Sequence, residues 1–158
     1  AQKRHDLLLS AFARAGLPQK LVMLTPPDER LAALVAQLDL DSRVAIADFQ
    51  TNPYPWMAGA DLLVLCSDHE GLPNVLIEAL ACGTRVVSTD CPSGPREILT
   101  GELAQWLVPC GDADALALAM RRAVAAPVPA ARIVADALAP YAAEHALDAL
   151  ETLAREHP

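Results

Sequence analysis

Glu70 and Glu78 are the residues whose type and spacing point first to chemistry. They stand eight positions apart in the run Ser67-Asp68-His69-Glu70-Gly71-Leu72-Pro73-Asn74-Val75-Leu76-Ile77-Glu78-Ala79-Leu80-Ala81-Cys82-Gly83. Before this run, Asp61-Leu62-Leu63-Val64-Leu65-Cys66 reads as a buried strand, and after it Arg85-Val86-Val87-Ser88-Thr89 reads as another. Glu78 interrupts an apolar helical segment, between Ile77 and Ala79. A carboxylate in such a place is costly to desolvate unless something hydrogen-bonds it. Both glutamates fall where a strand ends and a helix begins, the edge at which open α/β sheets hold ligands. A ligand rich in hydroxyl groups is therefore the leading explanation.

Each neighbour has a plainer reading beside the functional one. Gly71 lets backbone approach a ligand closely. Pro73 suits the first turn of a helix, whose free N–H groups favour a phosphate or a sugar oxygen. Glu70 is equally readable as a simple helix cap. Glu78 lies ~7.5 Å along the helix axis from Pro73, and a structural pair with Arg85 or Arg96 would also explain it. Lys3 is a solvated terminal lysine, or else a point cation for a diphosphate in the first strand-to-helix loop. His69 has no nucleophile motif beside it and reads as an exposed loop residue. Asp90 and Ser93-Gly94-Pro95-Arg96-Glu97 read as a tight turn and helix start that reaches the same edge.

The elements that must position these groups alternate along the chain. Helices are expected at Asp6–Ala15 (stopped by Gly16), from Pro27 to about Leu38, in a short turn at Trp56–Ala58, and at Pro73–Ala81. Further helices are expected at Asp112–Ala126, with Asp112 as N-cap, and from Val134 to Glu156, kinked at Pro140. Strands are expected at Leu21–Leu24, Arg43–Ala47, Leu62–Cys66, Val86–Thr89 and Gln105–Val108. This pattern predicts an α/β, Rossmann-like doubly wound domain: a mostly parallel sheet with helices on both faces. One domain spans residues 1–158, with a helical tail from about 127. Such a fold normally opens with a strand, whereas this chain opens with a helix, so a first strand is expected to be missing ahead of it.

Composition narrows the function class. With 53% hydrophobic and 20% charged residues the 158-residue chain can bury a full core. The apolar runs are strand-length, short of a membrane span. The net charge of −8, with twelve scattered basic residues, argues against nucleic acid as partner. Cys66, Cys82, Cys91 and Cys110 have no metal-ligand spacing and read as thiols of a reducing, cytoplasmic setting.

On the Glu70-Gly71-Leu72-Pro73-Asn74 and Glu78-Ala79-Leu80-Ala81-Cys82-Gly83-Thr84 segments the chain resembles family 4 glycosyltransferases, whose donor-binding domain carries an E-x7-E signature. Gln2-Lys3-Arg4-His5-Asp6, Asn52-Pro53-Tyr54-Pro55-Trp56 and Pro92-Ser93-Gly94-Pro95-Arg96-Glu97 agree with it, so the similarity runs from Gln2 to about Ala126. The resemblance implies one half of a GT-B enzyme, with the N-terminal acceptor domain absent from this chain. It implies that Glu70 binds donor-sugar hydroxyls, that the Gly71, Leu72, Pro73 and Asn74 backbone holds sugar and diphosphate, and that Glu78 binds the ribose. Lys3 would neutralise the diphosphate, and the base would lie near Phe49. Glu70 and Lys3 are the expected catalytic residues, and neither metal nor cofactor is expected.

Two departures stand against the resemblance. The arginine that partners the family lysine would precede residue 1. In addition, Leu24-Thr25-Pro26-Pro27-Asp28 replaces a glycine-rich turn. The expected reaction is retaining, metal-independent transfer from a nucleoside-diphosphate sugar, UDP or GDP based, to a glycan or lipid-linked acceptor in bacterial surface polysaccharide synthesis. The full-length enzyme would be cytoplasmic, or peripheral at the inner face of the membrane, and this chain alone is expected to be inactive. The alternatives are a stand-alone nucleotide-sugar-binding module that needs a partner chain, and a GT-B-like sugar-nucleotide epimerase.

Overall fold

The structure is a computed structural model in which residues 2–142 are described. Helix α1 (His5–Ala15) opens the chain, followed by β1 (Leu21–Leu24), α2 (Glu29–Gln37), β2 (Val44–Ala47), α3 (Tyr54–Ala58) and β3 (Leu63–Leu65). Then come α4 (Asn74–Ala81), β4 (Val86–Thr89), α5 (Pro95–Ile98), a 3-10 turn at Gly101–Trp106, β5 (Leu107–Val108), α6 (Ala113–Ala125) and α7 (Ala131–Leu138). The alternation is the expected one, and all three strand pairings are parallel.

The strands form two pieces. β1 pairs with β2 through Leu21–Val44 to Leu24–Ala47. β4 lies between β3 and β5, with Val64 opposite Val87 and Thr89 opposite Val108. Between β1 and β3 the chain leaves an open slot of about 860 Å3, lined by both strands. The α/β architecture thus agrees with the sequence, but the described residues divide the expected sheet.

Strand alternation sorts the core into two layers. Cys66 and Val87 point to one face, where Leu8, Leu9 and Phe12 of α1 and Leu116 and Met120 of α6 cover them. Leu65 and Val86 point to the other, against Leu76 and Leu80 of α4, Ile98 and Leu99. Leu9, Leu76, Val87, Ile98 and Leu116 are fully buried.

Several boundaries depart from expectation for local reasons. Pro27 stays outside α2, because Asp28 caps that helix by accepting from the Arg30 N–H at 2.8 Å. Pro73 precedes α4 with φ −78° and ψ 80° and does not occupy its first turn. Gln105 and Trp106 belong to the 3-10 turn, which leaves Leu107–Val108 as the strand. The last helix begins earlier than expected, at Ala131, and gives way to a 3-10 turn at Ala139–Tyr141 containing Pro140. The rest of the expected Val134–Glu156 helix lies outside the described residues.

Candidate donor-binding site

Three segments at the carboxyl edge of β3 and β4 build the site. The segment Gln2–Arg4 leads into α1, Ser67–Pro73 joins β3 to α4, and Asp90–Gly94 joins β4 to α5. The first two are stitched together. Gln2 C=O accepts from the Asp68 N–H at 3.0 Å, and Gln2 Nε2 donates to His69 C=O at 2.7 Å. Arg4 adopts the left-handed conformation (φ 43°) at the head of α1 and bonds Asp6 at 3.0 Å and Asp68 at 3.1 Å. Those two carboxylates raise the Arg4 guanidinium pKa, chiefly through their hydrogen bonds. The Arg4 hydrogen bond in turn holds the Asp6 carboxyl below its usual range. Beneath them, Cys66 is buried, which pushes its thiol up to about 12. Its S–H donates to Lys3 C=O at 3.2 Å.

This stitching places Lys3 Nζ 2.7 Å from Glu70 Oε1. The Glu70 side chain is only 9% exposed, whereas Lys3 is 56% exposed. Glu70 is therefore no helix cap; Pro73 occupies the N-cap position of α4 and no side chain caps it. The third loop braces the second from behind. The Ser93 hydroxyl donates to Glu70 C=O. Gly94 (φ 88°) packs so closely that a Cβ there would collide with Gly71 C=O and the Pro73 ring. Glu97 fixes that approach by accepting from the Gly94 N–H at 3.1 Å. On the opposite side nothing lies within 4 Å of where a Gly71 Cβ would stand. The Glu70–Pro73 backbone is thus held on one side and open on the other.

Both structural partners proposed for Glu78 are taken. Arg85 donates to the carbonyls of Ala126 (2.9 Å) and Asp61 (3.3 Å). Arg96 pairs with Asp90, whose carboxyl it holds below the usual range. Among the described residues Glu78 has no ion pair and no side-chain hydrogen bond, although it is half-buried on α4. One expectation needs correction. The first-turn N–H groups of α4 are not all free, because Asn74 donates to Leu72 C=O and Leu76 to Pro73 C=O, both at 2.9 Å. Val75 N–H has no backbone acceptor among the described residues. Asn74 and Leu72 are exposed. Phe49, 78% exposed, follows β2 at the carboxyl edge of the other sheet piece, and its N–H donates to Asp48 Oδ1 at 2.7 Å.

The bracing of Glu70 by Ser93 and Gly94, and the Arg4–Asp68 pair, escaped the sequence reading. The partners lie 23 and 64 residues apart, and a tight turn was the natural reading of the Ser93-Gly94 loop. Gly94 with Glu97 three residues on was the available signal.

Comparison with known proteins identifies the family. The profile of the family described as glycosyl transferases, group 1, matches residues 1–126. An N-acetylgalactosaminyltransferase of Campylobacter jejuni, acting on an N-acetylgalactosamine-N,N'-diacetylbacillosaminyl-diphospho-undecaprenol, is 43% identical over 98 residues, 61% of this chain and 27% of its own length. A lipopolysaccharide core biosynthesis glycosyltransferase of Rhizobium meliloti is 36% identical over 127 residues, covering 78% of this chain and 36% of its own length. Among solved structures, an apo lipopolysaccharide outer core galactosyltransferase superposes with a TM-score of 0.80 at 25% identity, over 92% of this chain and 43% of that one. This chain spans roughly a quarter to a third of the curated relatives' length. A family match over residues 1–126 of the 158 makes the chain a member of the group 1 glycosyl transferase family.

Proposed function

We propose that this chain is the donor-binding half of a retaining, metal-independent glycosyltransferase. The observation that carries the reading is the Lys3–Glu70 pair at 2.7 Å beside the open face of Gly71, with Glu78, unpaired among the described residues, on the helix that follows. In this reading Glu70 accepts hydrogen bonds from donor-sugar hydroxyls. The Gly71, Leu72, Pro73 and Asn74 backbone lies along the sugar and the diphosphate, Glu78 receives the ribose hydroxyls, and the base rests near Phe49.

The chemistry follows from the charges. Transfer breaks the bond between the anomeric carbon and the diphosphate oxygen, so negative charge grows on the leaving group. Lys3 and the N-terminus of α4, where Val75 keeps its N–H, are placed to stabilise that charge without a divalent ion. The departing phosphate takes the acceptor hydroxyl's proton as that oxygen bonds the anomeric carbon on the same face, which retains configuration. Glu70 accordingly positions the sugar and is not the nucleophile. The donor is a nucleoside-diphosphate sugar, UDP or GDP based, and no cofactor takes part.

The lipid-diphosphate acceptor named for the Campylobacter relative supports a glycan or lipid-linked acceptor here, in bacterial surface polysaccharide synthesis. The acceptor is held by a second domain, in a cytoplasmic enzyme working at the inner face of the membrane. No helix among the described residues is long and apolar enough to cross a membrane.

A thermal-shift screen against nucleotide sugars tests the reading. A true donor at a hundred times its dissociation constant adds about 2.7 kcal/mol of stability. No shift with any uridine or guanosine diphosphate sugar, in a protein holding both domains, would contradict it.

A further inference from the structure

Two cysteines beside the site have no part in the donor reading, and the fold brings them together. β4 and β5 run parallel with Thr89 opposite Val108, and one further rung runs from the Asp90 N–H to Val108 C=O at 2.7 Å. Cys91 and Cys110 each follow the last opposed pair by two residues, so they hold matching places on neighbouring segments. Paired strands lie about 4.7–4.9 Å apart, inside the Cα separation of about 4.4–6.8 Å that a disulfide spans. The side chains show that the match continues past the ladder. The Thr89 hydroxyl donates to Ser67 C=O at 2.6 Å, and the Cys110 S–H faces the same carbonyl at 3.9 Å. The Cys110 sulfur therefore stands over the end of β4, where Cys91 follows. Cys91 turns its own S–H to Ser93 C=O at 3.6 Å.

The two thiols are unequal in access. Cys91 is 1% exposed, whereas Cys110 is open to solvent. Burial raises the pKa of both, and the Cys110 sulfur raises Cys91 further. Each therefore reacts slowly near neutral pH, where little thiolate is present. An exposed thiol backed by a buried one suits capture by an oxidant at the first and resolution by the second. The other two cysteines are engaged elsewhere. Cys66 is buried with its S–H on Lys3 C=O, and Cys82 closes the C-terminal end of α4.

We propose that Cys91 and Cys110 close to an intramolecular disulfide when a small-molecule disulfide oxidises them, tying the loop that braces Glu70 to the chain after β5. The Cys110 thiolate attacks one sulfur of the oxidant and expels the first thiol, which leaves a mixed disulfide on Cys110. The Cys91 thiolate then attacks the Cys110 sulfur and expels the second thiol. The protein gives up two protons and two electrons, and the oxidant leaves with both as two thiols. In closing, Cys91 releases Ser93 C=O, on the residue whose hydroxyl bonds Glu70 C=O. In a reducing compartment such a pair closes only transiently, and excess thiol reopens it. The proposal stands whatever the site binds.

The test treats the full-length protein with oxidised glutathione in mildly alkaline buffer, under native conditions, and maps the peptides by mass spectrometry without reduction. A Cys91–Cys110 link should form, with the loss of two hydrogens, and dithiothreitol should remove it. Cys82→Ser should form the link as fast as the wild type. Cys110→Ser, a change at an exposed position, should lose the link altogether. Cys91→Ala should instead accumulate the mixed disulfide on Cys110. A mixed disulfide that persists on Cys110 of the wild type while Cys91 stays reduced would overturn the proposal. Linkage of either thiol to Cys66 or Cys82, or a Cys91–Cys110 link that forms only in denaturant, would overturn it too.

Discussion

At the scale of single residues the site is a contest over charge. Lys3 holds Glu70 at 2.7 Å, but an ion pair whose lysine is half exposed adds little to folding. A diphosphate offers the same ammonium two further charges. Lys3→Met is therefore expected to weaken binding of a nucleoside diphosphate by about tenfold or more, since a charge-assisted hydrogen bond is worth about 1.5–3 kcal/mol. Its Tm should move by only a degree or two, because a surface pair contributes about 0–1 kcal/mol. Calorimetry and a thermal scan of one preparation check both. Asp90 and Arg96 give a pH signature. The arginine's hydrogen bond depresses the Asp90 pKa from its ordinary 3.8, so the pair's contribution is complete above that value. It is lost as pH falls through the depressed folded value. Arg96→Gln should lower Tm slightly at neutral pH, and the gap from the wild type should close below pH 3.8. A gap that persists in acid would show that Arg96 acts through something other than Asp90.

At the scale of elements the site depends on loops that brace one another. Gly94 sits at φ 88° against Gly71 C=O, so Gly94→Ala adds a collision to backbone strain and pushes on the loop that carries Glu70. A loss of about 2 kcal/mol or more is expected, at the upper end of overpacking costs. Gly83 (φ 78°) has nothing within 4 Å, and Gly83→Ala should cost only about 1 kcal/mol. Denaturant unfolding of the pair separates the two effects, and equal losses would remove Gly94 as a brace. The caps were legible beforehand. Asp112 precedes an apolar periodic run, and it does accept from the Asp114 and Ala115 N–H groups at 3.0 and 2.8 Å. Asp112→Ala should cost about 1 kcal/mol. The strand and helix alternation was legible for the same reason: each segment carries its own periodicity. What periodicity could not show were contacts set by the fold alone. Arg4 with Asp68, Ser93 with Glu70 and the taken partners of Glu78 depend on which loops share an edge. Gln105 and Trp106, the end of the 3-10 turn, read as strand because they run directly into the apolar Leu107-Val108 strand.

At the scale of the whole molecule the parallel strands bring Lys3, Glu70, Asp90 and Phe49 to the same kind of position, just past a strand's end or at the head of a helix. The sequence motif placed Glu70 and Glu78 on a loop and the helix after it, and the fold adds that one is braced and paired while the other has no ion-pair partner among the described residues. The division of labour proposed above puts Glu70 on the sugar ring and Glu78 on the ribose. Titration calorimetry of Glu70→Ala and Glu78→Ala, in a protein holding both domains, with a nucleoside diphosphate and its sugar-bearing donor, tests this directly. Glu78→Ala should weaken both ligands by a similar factor, about tenfold or more, whereas Glu70→Ala should weaken only the sugar-bearing donor. Equal losses on the two ligands for both variants, or no loss for either, would contradict the account.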